Sequence, residues 1–409
     1  MKRVILFLIP MLLSANLTYT LNYSKELQLL NSFDVDDSFI YDPVLNEMKR
    51  SLKKHYRTKH FFKAMDDAYI FIPSIKNILA EYGVPKEFLY LAMAESNFYN
   101  TAYSKKRAAG LWQFMPQTAK LYGLKIDEYV DERRDPIKST KAAAKYLTYL
   151  HKKFGKWYLA AVAYNCGEGR VYRAIKRAHT DDLRVLLNPK KRYLPRESRL
   201  YIRKILALAL LANDEQFLID SEYSYLLNRA NAYSLATVHL GRGASLKELS
   251  KQVGIPFKEL KRLNRHLKYN FLPPYKDGYE IYIPYIKLAD FKQKYHPAKN
   301  GNLYMVYHVK GGDNLSKIGK KFGVSYKVIM DFNNLKSSRL RLRQKLIIPI
   351  ERGKRGVKRI KSKHYYIVKR GDTLRSISRK YRVSIENIKL QNHLKTNIIR
   401  VGERLKIYE

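Results

Sequence analysis

Acidic residues, cysteine and long apolar runs are all scarce in this sequence. Its 409 residues contain 36 aspartates and glutamates against 79 lysines and arginines, a formal net charge of +43. Such an excess attracts polyanions through long-range electrostatics. The single cysteine, Cys166, excludes an internal disulfide. There is no HExxH pair and no phosphate-binding glycine loop, so we predict neither a metal site nor a cofactor.

The N-terminus carries the one apolar run that stands out. Lys2 and Arg3 precede the run 4–13, which small residues follow, a pattern typical of a secretory signal. The run is short for a membrane span, and a buried helix is the alternative. We expect residues 1–20 to be a signal peptide and the protein to be exported to the periplasm or cell envelope. No cysteine follows the run closely, so we do not expect a lipoprotein.

Export restricts which polyanions this positively charged protein can bind. An exported protein does not normally meet nucleic acid, and the sequence has no recognisable nucleic-acid motif. Residues 301–409 alone contain 28 lysines and arginines against 7 acidic residues. We therefore expect an anionic envelope polymer as the partner, with the membrane surface as a further possibility.

Helical patterns and an internal repeat divide the chain. Gly312-Asp313 recurs 59 residues later as Gly371-Asp372, and apolar positions recur at the same spacing. Each copy reads as strand, helix, helix, strand. The predicted domains are a helical lead-in at 21–75, an all-α domain at 76–215, a degenerate repeat at 232–285, repeats at 305–350 and 364–409, and a basic linker at 351–363.

Glu95 is the candidate catalytic residue. It shares one helix face with Phe88, Leu91 and Ala92, at positions i, i+3, i+4 and i+7. Desolvation on an apolar face disfavours the carboxylate, so its pKa should rise. A carboxyl that stays protonated near neutral pH is the general acid that glycosidic bond cleavage requires. On position alone, a cap or an ion-pair partner is the alternative.

Four motifs occur in a fixed order around and after this residue. They span residues 92–98, 110–116, 163–169 and 195–201. This set resembles the catalytic domain of the family 1 lytic transglycosylases, which has a goose-type lysozyme fold, and the resemblance covers residues 50–215. The two late repeats resemble LysM modules, which bind glycans that contain N-acetylglucosamine. The resemblance implies a mainly α catalytic domain followed by small α+β modules.

The resemblance also implies a reaction and a partner, peptidoglycan. The family cleaves the β-1,4 bond between N-acetylmuramic acid and N-acetylglucosamine and leaves a 1,6-anhydromuramic end. Glu95 would protonate the glycosidic oxygen and then accept the proton of the muramic acid 6-hydroxyl as that oxygen attacks C1. Because the substrate supplies its own nucleophile, one carboxyl suffices and no water is consumed.

Supporting roles carry over from the family onto the matching positions. Tyr164 is expected to hydrogen-bond the catalytic carboxyl, with a core aromatic as the alternative. The other expected substrate-binding residues are Ser104 and Gln113 as polar groups of the sugar cleft, Met115 as an apolar cleft residue, Asn165 as a turn or acetamido contact, and Glu197 as an orienting or structural group.

The repeats supply a second set of expected glycan contacts. These are Gly312, Asp313, Leu315 and Asn333 in the first copy, and Gly371, Asp372, Leu374 and Asn392 in the second. The alternative for each Gly-Asp pair is an ordinary turn with a helix cap, and for each leucine a place in the core.

Two other functions remain open at this point. A hydrolytic muramidase of the same fold would need a second carboxylate, for which Glu197 is the main candidate. A non-catalytic wall-binding protein is the alternative from a different class, although the presence of Glu95, Ser104, Gln113 and Tyr164 together argues against it.

Overall fold

The computed structural model describes residues 23–56, 60–219, 235–273, 275–297, 302–351, 364–381, 385–392, 394 and 396–407. The predicted signal peptide and residues 352–363 of the predicted linker lie outside this part of the chain. Within it, the structure has no helix that is both long and apolar enough to cross a membrane. The described residues form two compact units, one within 1–310 and 341–352 and the other within 311–340 and 353–409.

The first unit begins with a helical domain. Its helices are α1 (residues 23–32), α2 (Pro43–Tyr56), α3 (His60–Asp67), α4 (Ile72–Glu81), α5 (Leu89–Ser96), α6 (Pro116–Leu121), α7 (Pro136–Phe154), α8 (Trp157–Cys166), α9 (Glu168–Ala178), α10 (Leu183–Leu186), α11 (Arg196–Ala212) and α12 (Glu215–Ile219). A single apolar core runs through them. The predicted lead-in belongs to this core, because Leu30, Phe33 and Leu45 are fully buried in it.

Two of these helices lie deep inside the domain. Residues 89–93 of α5 are all buried, and so are residues 158–163 of α8. Helix α11 packs against both of them. Helices buried on all sides need an apolar composition throughout, which the sequences of α5 and α8 have. Their polar residues are concentrated at their C-terminal ends, so a functional site on these helices would lie at those ends.

Helix α7 shows why the domain folds as it does locally. The Asp135 carboxylate caps its first turn by accepting hydrogen bonds from the backbone N–H groups of Ile137 and Lys138, both at 2.9 Å. Pro136 occupies the first helical position, where its missing N–H is not needed. Gly155 ends the helix with a φ of 74°, in the left-handed region that favours glycine.

A small α+β module follows within the same unit. Strand β1 (Leu235–Leu240) pairs antiparallel with β2 (Tyr279–Pro284), and helices α13 (Leu246–Val253) and α14 (Phe257–Leu263) lie between them in sequence. A further helix, α15 (Leu288–Lys294), packs on α13 beyond the predicted end of this degenerate repeat. The module has its own apolar core.

A buried polar junction joins this module to the helical domain. The Tyr282 hydroxyl donates to Asp135, 2.9 Å from Oδ1, and the Tyr279 hydroxyl donates to Glu132 Oε1 at 2.7 Å. The backbone N–H of Asp131 donates to His266 O at 2.9 Å. Asp135 and His266 have no exposed surface. Because buried polar groups need their partners, these contacts hold the module against the start of α7.

The later repeats have the expected order of elements. Strand β3 (Asn302–His308) pairs antiparallel with β4 (Lys345–Glu351) in the first unit, and helices α16 (Leu315–Phe322) and α17 (Tyr326–Phe332) lie in the second. The last repeat, also in the second unit, consists of β5 (His364–Ile367), α18 (Leu374–Tyr381), α19 (Ile385–Asn392) and β6 (Arg404–Ile407). The predicted fold class, mainly α followed by small βααβ modules, is confirmed.

Candidate active site

Glu95 lies in the last turn of α5, where the buried helix reaches a partly open position. Its side chain is half-buried, whereas Phe88, Leu91 and Ala92 on the same face are fully buried. Asn97 ends the helix in the left-handed region, with a φ of 49°. Glu95 is thus the polar end of an otherwise apolar face, as the sequence pattern predicted.

Burial raises the pKa of the Glu95 carboxyl above its ordinary value. Three neighbours modify this effect: the hydrogen bond from Tyr201 and the charge of Lys204 lower the pKa, and the charge of Glu197 raises it. Desolvation is the largest of these contributions, so the carboxyl retains its proton to a higher pH than an exposed glutamate does. This is the protonation state that a general acid needs.

Tyr201 is the direct partner of the carboxyl. Its hydroxyl donates to Glu95 Oε1 at 2.5 Å, from helix α11 across 106 residues of sequence. One turn further along α11, Lys204 Nζ donates to Ala94 O at 2.7 Å. Both residues had no assigned role in the sequence analysis, although Tyr201 closes the fourth motif. The spacing of Glu197, Tyr201 and Lys204 at i, i+4 and i+7 is the signal that could have placed them on one face.

Tyr164 does not have the bond expected of it. Its hydroxyl donates to Trp112 O at 2.7 Å rather than to the Glu95 carboxyl. Burial raises the pKa of Tyr164 well above its usual value, and the charge of Glu95 adds to that shift. The tyrosine therefore lies close enough to the carboxyl to interact with its charge, and its hydrogen bond stabilises the loop that contains Trp112. The expectation was wrong because two tyrosines of neighbouring helices face the same space, and sequence does not show which of them bonds the carboxyl.

The second motif forms a tight loop beside this site. Gln113 has a φ of 48°, and its side-chain amide donates to Gly110 O at 2.9 Å. Gly110 has a φ of 82°, and a Cβ at this position would lie 1.7 Å from Arg133 O, so only glycine fits. Trp112 is fully buried and donates to Thr140 Oγ1 at 2.9 Å. The loop is therefore rigid.

The remaining predicted cleft residues have mixed environments. Met115 has 44% of its surface exposed, which leaves it free to contact a ligand. Ser104 Oγ accepts a hydrogen bond from the backbone N–H of Ala108 at 2.9 Å and so also stabilises its own turn. Asn165 Oδ1 accepts from the Ser198 hydroxyl at 2.7 Å, which ties the end of α8 to α11. Glu197 is exposed in the first turn of α11.

The predicted glycan contacts of the repeats are partly structural. Leu315 and Leu374 each have only 2% of their surface exposed, which fits the core alternative. Asp372 Oδ2 accepts from the Tyr366 hydroxyl at 2.7 Å and from the Lys369 N–H at 2.8 Å, which fits a turn.

The corresponding glycines and asparagines have the same local geometry in the two repeats. Gly312 and Gly371 have φ values of 77° and 91°. The side-chain amides of Asn333 and Asn392 donate to carbonyls of their own helices, at 2.6 and 2.8 Å. Asp313 is half-buried. Among the residues described, no three His, Cys, Asp or Glu side chains are placed to hold a metal ion.

Together the fold and this site define a class of protein. A helical domain that presents one half-buried, hydrogen-bonded carboxyl at the end of a buried helix belongs to the lysozyme-like glycan-cleaving enzymes. The small βααβ repeats that follow it fit carbohydrate-binding modules attached to such an enzyme.

Family models agree with this assignment. The transglycosylase SLT domain matches residues 73–186, and the LysM domain matches residues 307–349 and 366–407. The LysM-like domain of the lytic transglycosylase MltD matches residues 234–300. The module predicted as a degenerate repeat therefore matches a known domain family.

Individual relatives are also similar. The membrane-bound lytic murein transglycosylase D of Escherichia coli (strain K12) is 30% identical over 388 residues, 90% of this chain and 82% of that protein. The peptidoglycan transglycosylase gp16 of Escherichia phage T7 is 46% identical over 83 residues, 20% of this chain and 6% of that protein. The crystal structure of the 70 kDa soluble lytic transglycosylase from Escherichia coli is 22% identical and matches 36% of this chain and 25% of that chain, with a TM-score of 0.28.

The chain belongs to the family of the membrane-bound lytic murein transglycosylase D. It is an enzyme, a peptidoglycan lytic transglycosylase with LysM domains, and the family predicted from the motifs is confirmed.

Proposed function

We propose that this enzyme cleaves the β-1,4 bond between N-acetylmuramic acid and N-acetylglucosamine and leaves a 1,6-anhydromuramic end, with Glu95 as the only catalytic carboxyl. The observation that carries the proposal is the half-buried Glu95 side chain, whose pKa burial raises and whose Oε1 accepts a hydrogen bond from Tyr201.

The acid step follows from the two oxygens of this carboxyl. Tyr201 donates to Oε1, so Oε1 acts as an acceptor and the acidic proton belongs on Oε2. Oε2 is then the atom that protonates the glycosidic oxygen of the leaving N-acetylglucosamine. The Tyr201 bond and the Lys204 charge favour the carboxylate that this transfer leaves behind, because both lower the pKa of Glu95.

The base step uses the same oxygen in reverse. The 6-hydroxyl of N-acetylmuramic acid attacks C1, and the Glu95 carboxylate accepts its proton. An attack within one sugar benefits from an effective molarity that can reach about 10⁵ M or more, so no second carboxylate and no activated water are needed. The carboxyl ends the cycle protonated, ready for another turnover.

Mass spectrometry of the muropeptides released from purified sacculi tests this proposal. We expect residues 21–409 to release fragments with anhydro ends, and Glu95→Gln to release none while still binding sacculi. Glu197→Gln is the matched control, since it makes the same chemical change at an exposed residue of helix α11 and should retain the anhydro product. Reducing ends would identify a hydrolytic muramidase, and their loss in Glu197→Gln would assign Glu197 as its second carboxylate. Binding without release by either protein would support a non-catalytic wall-binding function.

We also infer that the LysM domains hold the enzyme on its insoluble substrate. Their lysines and arginines add electrostatic attraction for carboxylate-rich wall polymer. A chain that ends at Glu351 keeps the strand pair of the first repeat intact and lacks the second repeat. It should bind sacculi more weakly than the full chain does, and it should turn over short soluble glycan strands at an unchanged rate. An equal loss on both substrates would contradict a targeting role.

Export is part of this proposal. The substrate is a cell-envelope polymer, and residues 1–20 have the pattern of a secretory signal. We infer a periplasmic or envelope enzyme. N-terminal sequencing of the mature protein from cell fractions tests this, and a cytoplasmic protein that retains Met1 would contradict it.

A further inference from the structure

A basic cavity lies between helix α9 and the start of helix α11. Its volume is about 580 Å³, within the range of about 300–1,000 Å³ that is usual for small-ligand sites. Six arginines contribute to its wall: Arg170, Arg173, Arg177, Arg192, Arg196 and Arg199. The mechanism proposed above uses none of them.

No acidic side chain belongs to the described wall of this cavity. Its other residues are Tyr193, Leu194 and Pro195. Elsewhere in the described part of the chain, Arg133 and Arg203 form buried ion pairs and Arg184 forms an exposed one. None of these three lines the cavity. Because guanidinium groups stay protonated throughout the physiological pH range, the cavity is a permanent concentration of positive charge. An anion would relieve the repulsion among the six groups.

Part of the wall is fixed by contacts within the protein. Arg199 Nη1 donates to Leu194 O at 2.7 Å, and the Arg177 guanidinium lies 5.7 Å from the centroid of the Tyr193 ring. Arg192 has a φ of 53°, in the left-handed region that side-chain-bearing residues rarely adopt. Backbone strain of this kind is concentrated at functional sites. Arg177, Arg192 and Arg199 are therefore held in part by contacts and backbone conformation within the protein.

The cavity and the catalytic site share helix α11. Arg196 and Arg199 precede Tyr201 on this helix, and Tyr201 donates to Glu95. Arg196 and Tyr201 are five positions apart on this helix, about 7.5 Å along its axis and about 140° around it. On the other side of the cavity, α9 follows directly after the end of α8, where Asn165 is bonded to Ser198.

We propose that this cavity binds free carboxylates of the stem peptide attached to the muramic acid residue at the cleavage site. The inference rests on the proposed function, because that reaction places this sugar beside Glu95. The stem peptide is attached to the same sugar and extends several residues from it, so its carboxylates can reach around helix α11 to the cavity. The glycan itself carries no net charge once the lactyl group is amide-linked, so the peptide is the part of the substrate that six arginines can recognise. Arginine binds carboxylates through two parallel hydrogen bonds.

The direct test compares two forms of one soluble substrate. Glycan strands with intact stem peptides are compared with the same strands after carbodiimide coupling to ammonia, which converts stem carboxylates to neutral amides. For the wild-type enzyme we expect KM to rise about tenfold on the amidated strands, equivalent to about 1.4 kcal/mol. We expect the ratio to shrink in high salt, which screens charge interactions. An unchanged KM would overturn the proposal, and this comparison requires no variant to fold.

A matched pair of variants assigns the effect to the cavity. Arg173→Gln with Arg177→Gln removes two positive charges at i, i+4 on α9. Lys141→Gln with Lys145→Gln removes two at the same spacing on the exposed face of α7. Gln has a helix propensity close to that of Arg and Lys, so both variants should fold. The arginine variant should raise KM about tenfold on intact strands and leave KM on amidated strands unchanged, whereas the lysine variant should change neither.

The outcomes separate this inference from the proposed function. Anhydro ends are measured in every reaction, so their absence from the wild-type products would contradict the proposed transglycosylase reaction. Anhydro ends with an equal KM on both substrates would contradict only the proposal that the cavity binds stem-peptide carboxylates. An equal loss on both substrates in the arginine variant would also overturn it. Weakened binding of the arginine variant to vesicles of anionic phospholipid, with unchanged KM values, would instead assign the cavity to lipid phosphate.

Discussion

The hydrogen bond between Tyr201 and Glu95 should set the pH range in which the enzyme works. Tyr201→Phe keeps the ring in its buried place and removes only the hydroxyl that donates to Oε1. That bond lowers the pKa of Glu95, against the rise that burial causes. Its loss should therefore raise the pKa further and move the basic limb of kcat/KM to higher pH.

The size of this shift follows from the difference between two hydrogen bonds. A bond to a charged group contributes about 1.5–3 kcal/mol and a neutral one about 0.5–1.5 kcal/mol. The carboxylate therefore loses about 1–1.5 kcal/mol more than the protonated acid does. Since one pKa unit corresponds to about 1.36 kcal/mol, the basic limb should move upward by about one unit.

The assay is the rate of anhydro product formation from soluble strands across pH, at substrate concentrations below KM. Tyr158→Phe is the matched control, because it removes a buried hydroxyl that donates to Asp181 O at 2.7 Å, away from the carboxyl. Glu197→Gln should move the limb slightly downward, since its charge raises the pKa of Glu95. A limb in Tyr201→Phe that stays in place or moves to lower pH would refute the reasoning.

Three further predictions concern stability. Glu95→Gln should raise the melting temperature at about pH 8 and leave it nearly unchanged at about pH 4. The pKa of Glu95 is raised in the folded state, so the stability that its protonated side chain contributes is present at low pH and lost as the pH rises through that pKa. An equal gain at both pH values would contradict this. Gly110→Ala should cost at least about 2 kcal/mol in urea unfolding, against about 1 kcal/mol for Gly123→Ala, which has a similar φ but open space. Tyr282→Phe should cost about 1.5–3 kcal/mol, because it removes a buried donor to the Asp135 carboxylate; a loss below about 0.5 kcal/mol would show that the junction contributes little.

Patterns local in sequence were sufficient for several conclusions. The spacing of Phe88, Leu91 and Ala92 placed Glu95 on an apolar helix face, and the structure buries that face. The recurrence at 59 residues predicted small βααβ modules, which the described elements have. Local periodicity is enough for such inferences because the period of an element decides which of its faces is apolar.

The function of the middle module was less visible from sequence. The sequence showed it only as a degenerate repeat. In the structure, the Tyr279 and Tyr282 hydroxyls donate to carboxylates at the start of α7, so the module is a structural support for the catalytic domain. Hydroxyl–carboxylate pairs separated by 147 residues leave no periodic signal in the chain.

The sequence by itself determined the family, the helical class of the catalytic domain, the repeats and the candidate acid, Glu95. Only the tertiary structure decided that Tyr201 rather than Tyr164 bonds the carboxyl, and that arginines from α9 and from the start of α11 surround one cavity. The physical reason is that composition and spacing fix the faces of single helices, whereas the partner of a side chain depends on how helices α5, α8 and α11 pack. That packing is set by the whole core, and no segment of the chain contains it.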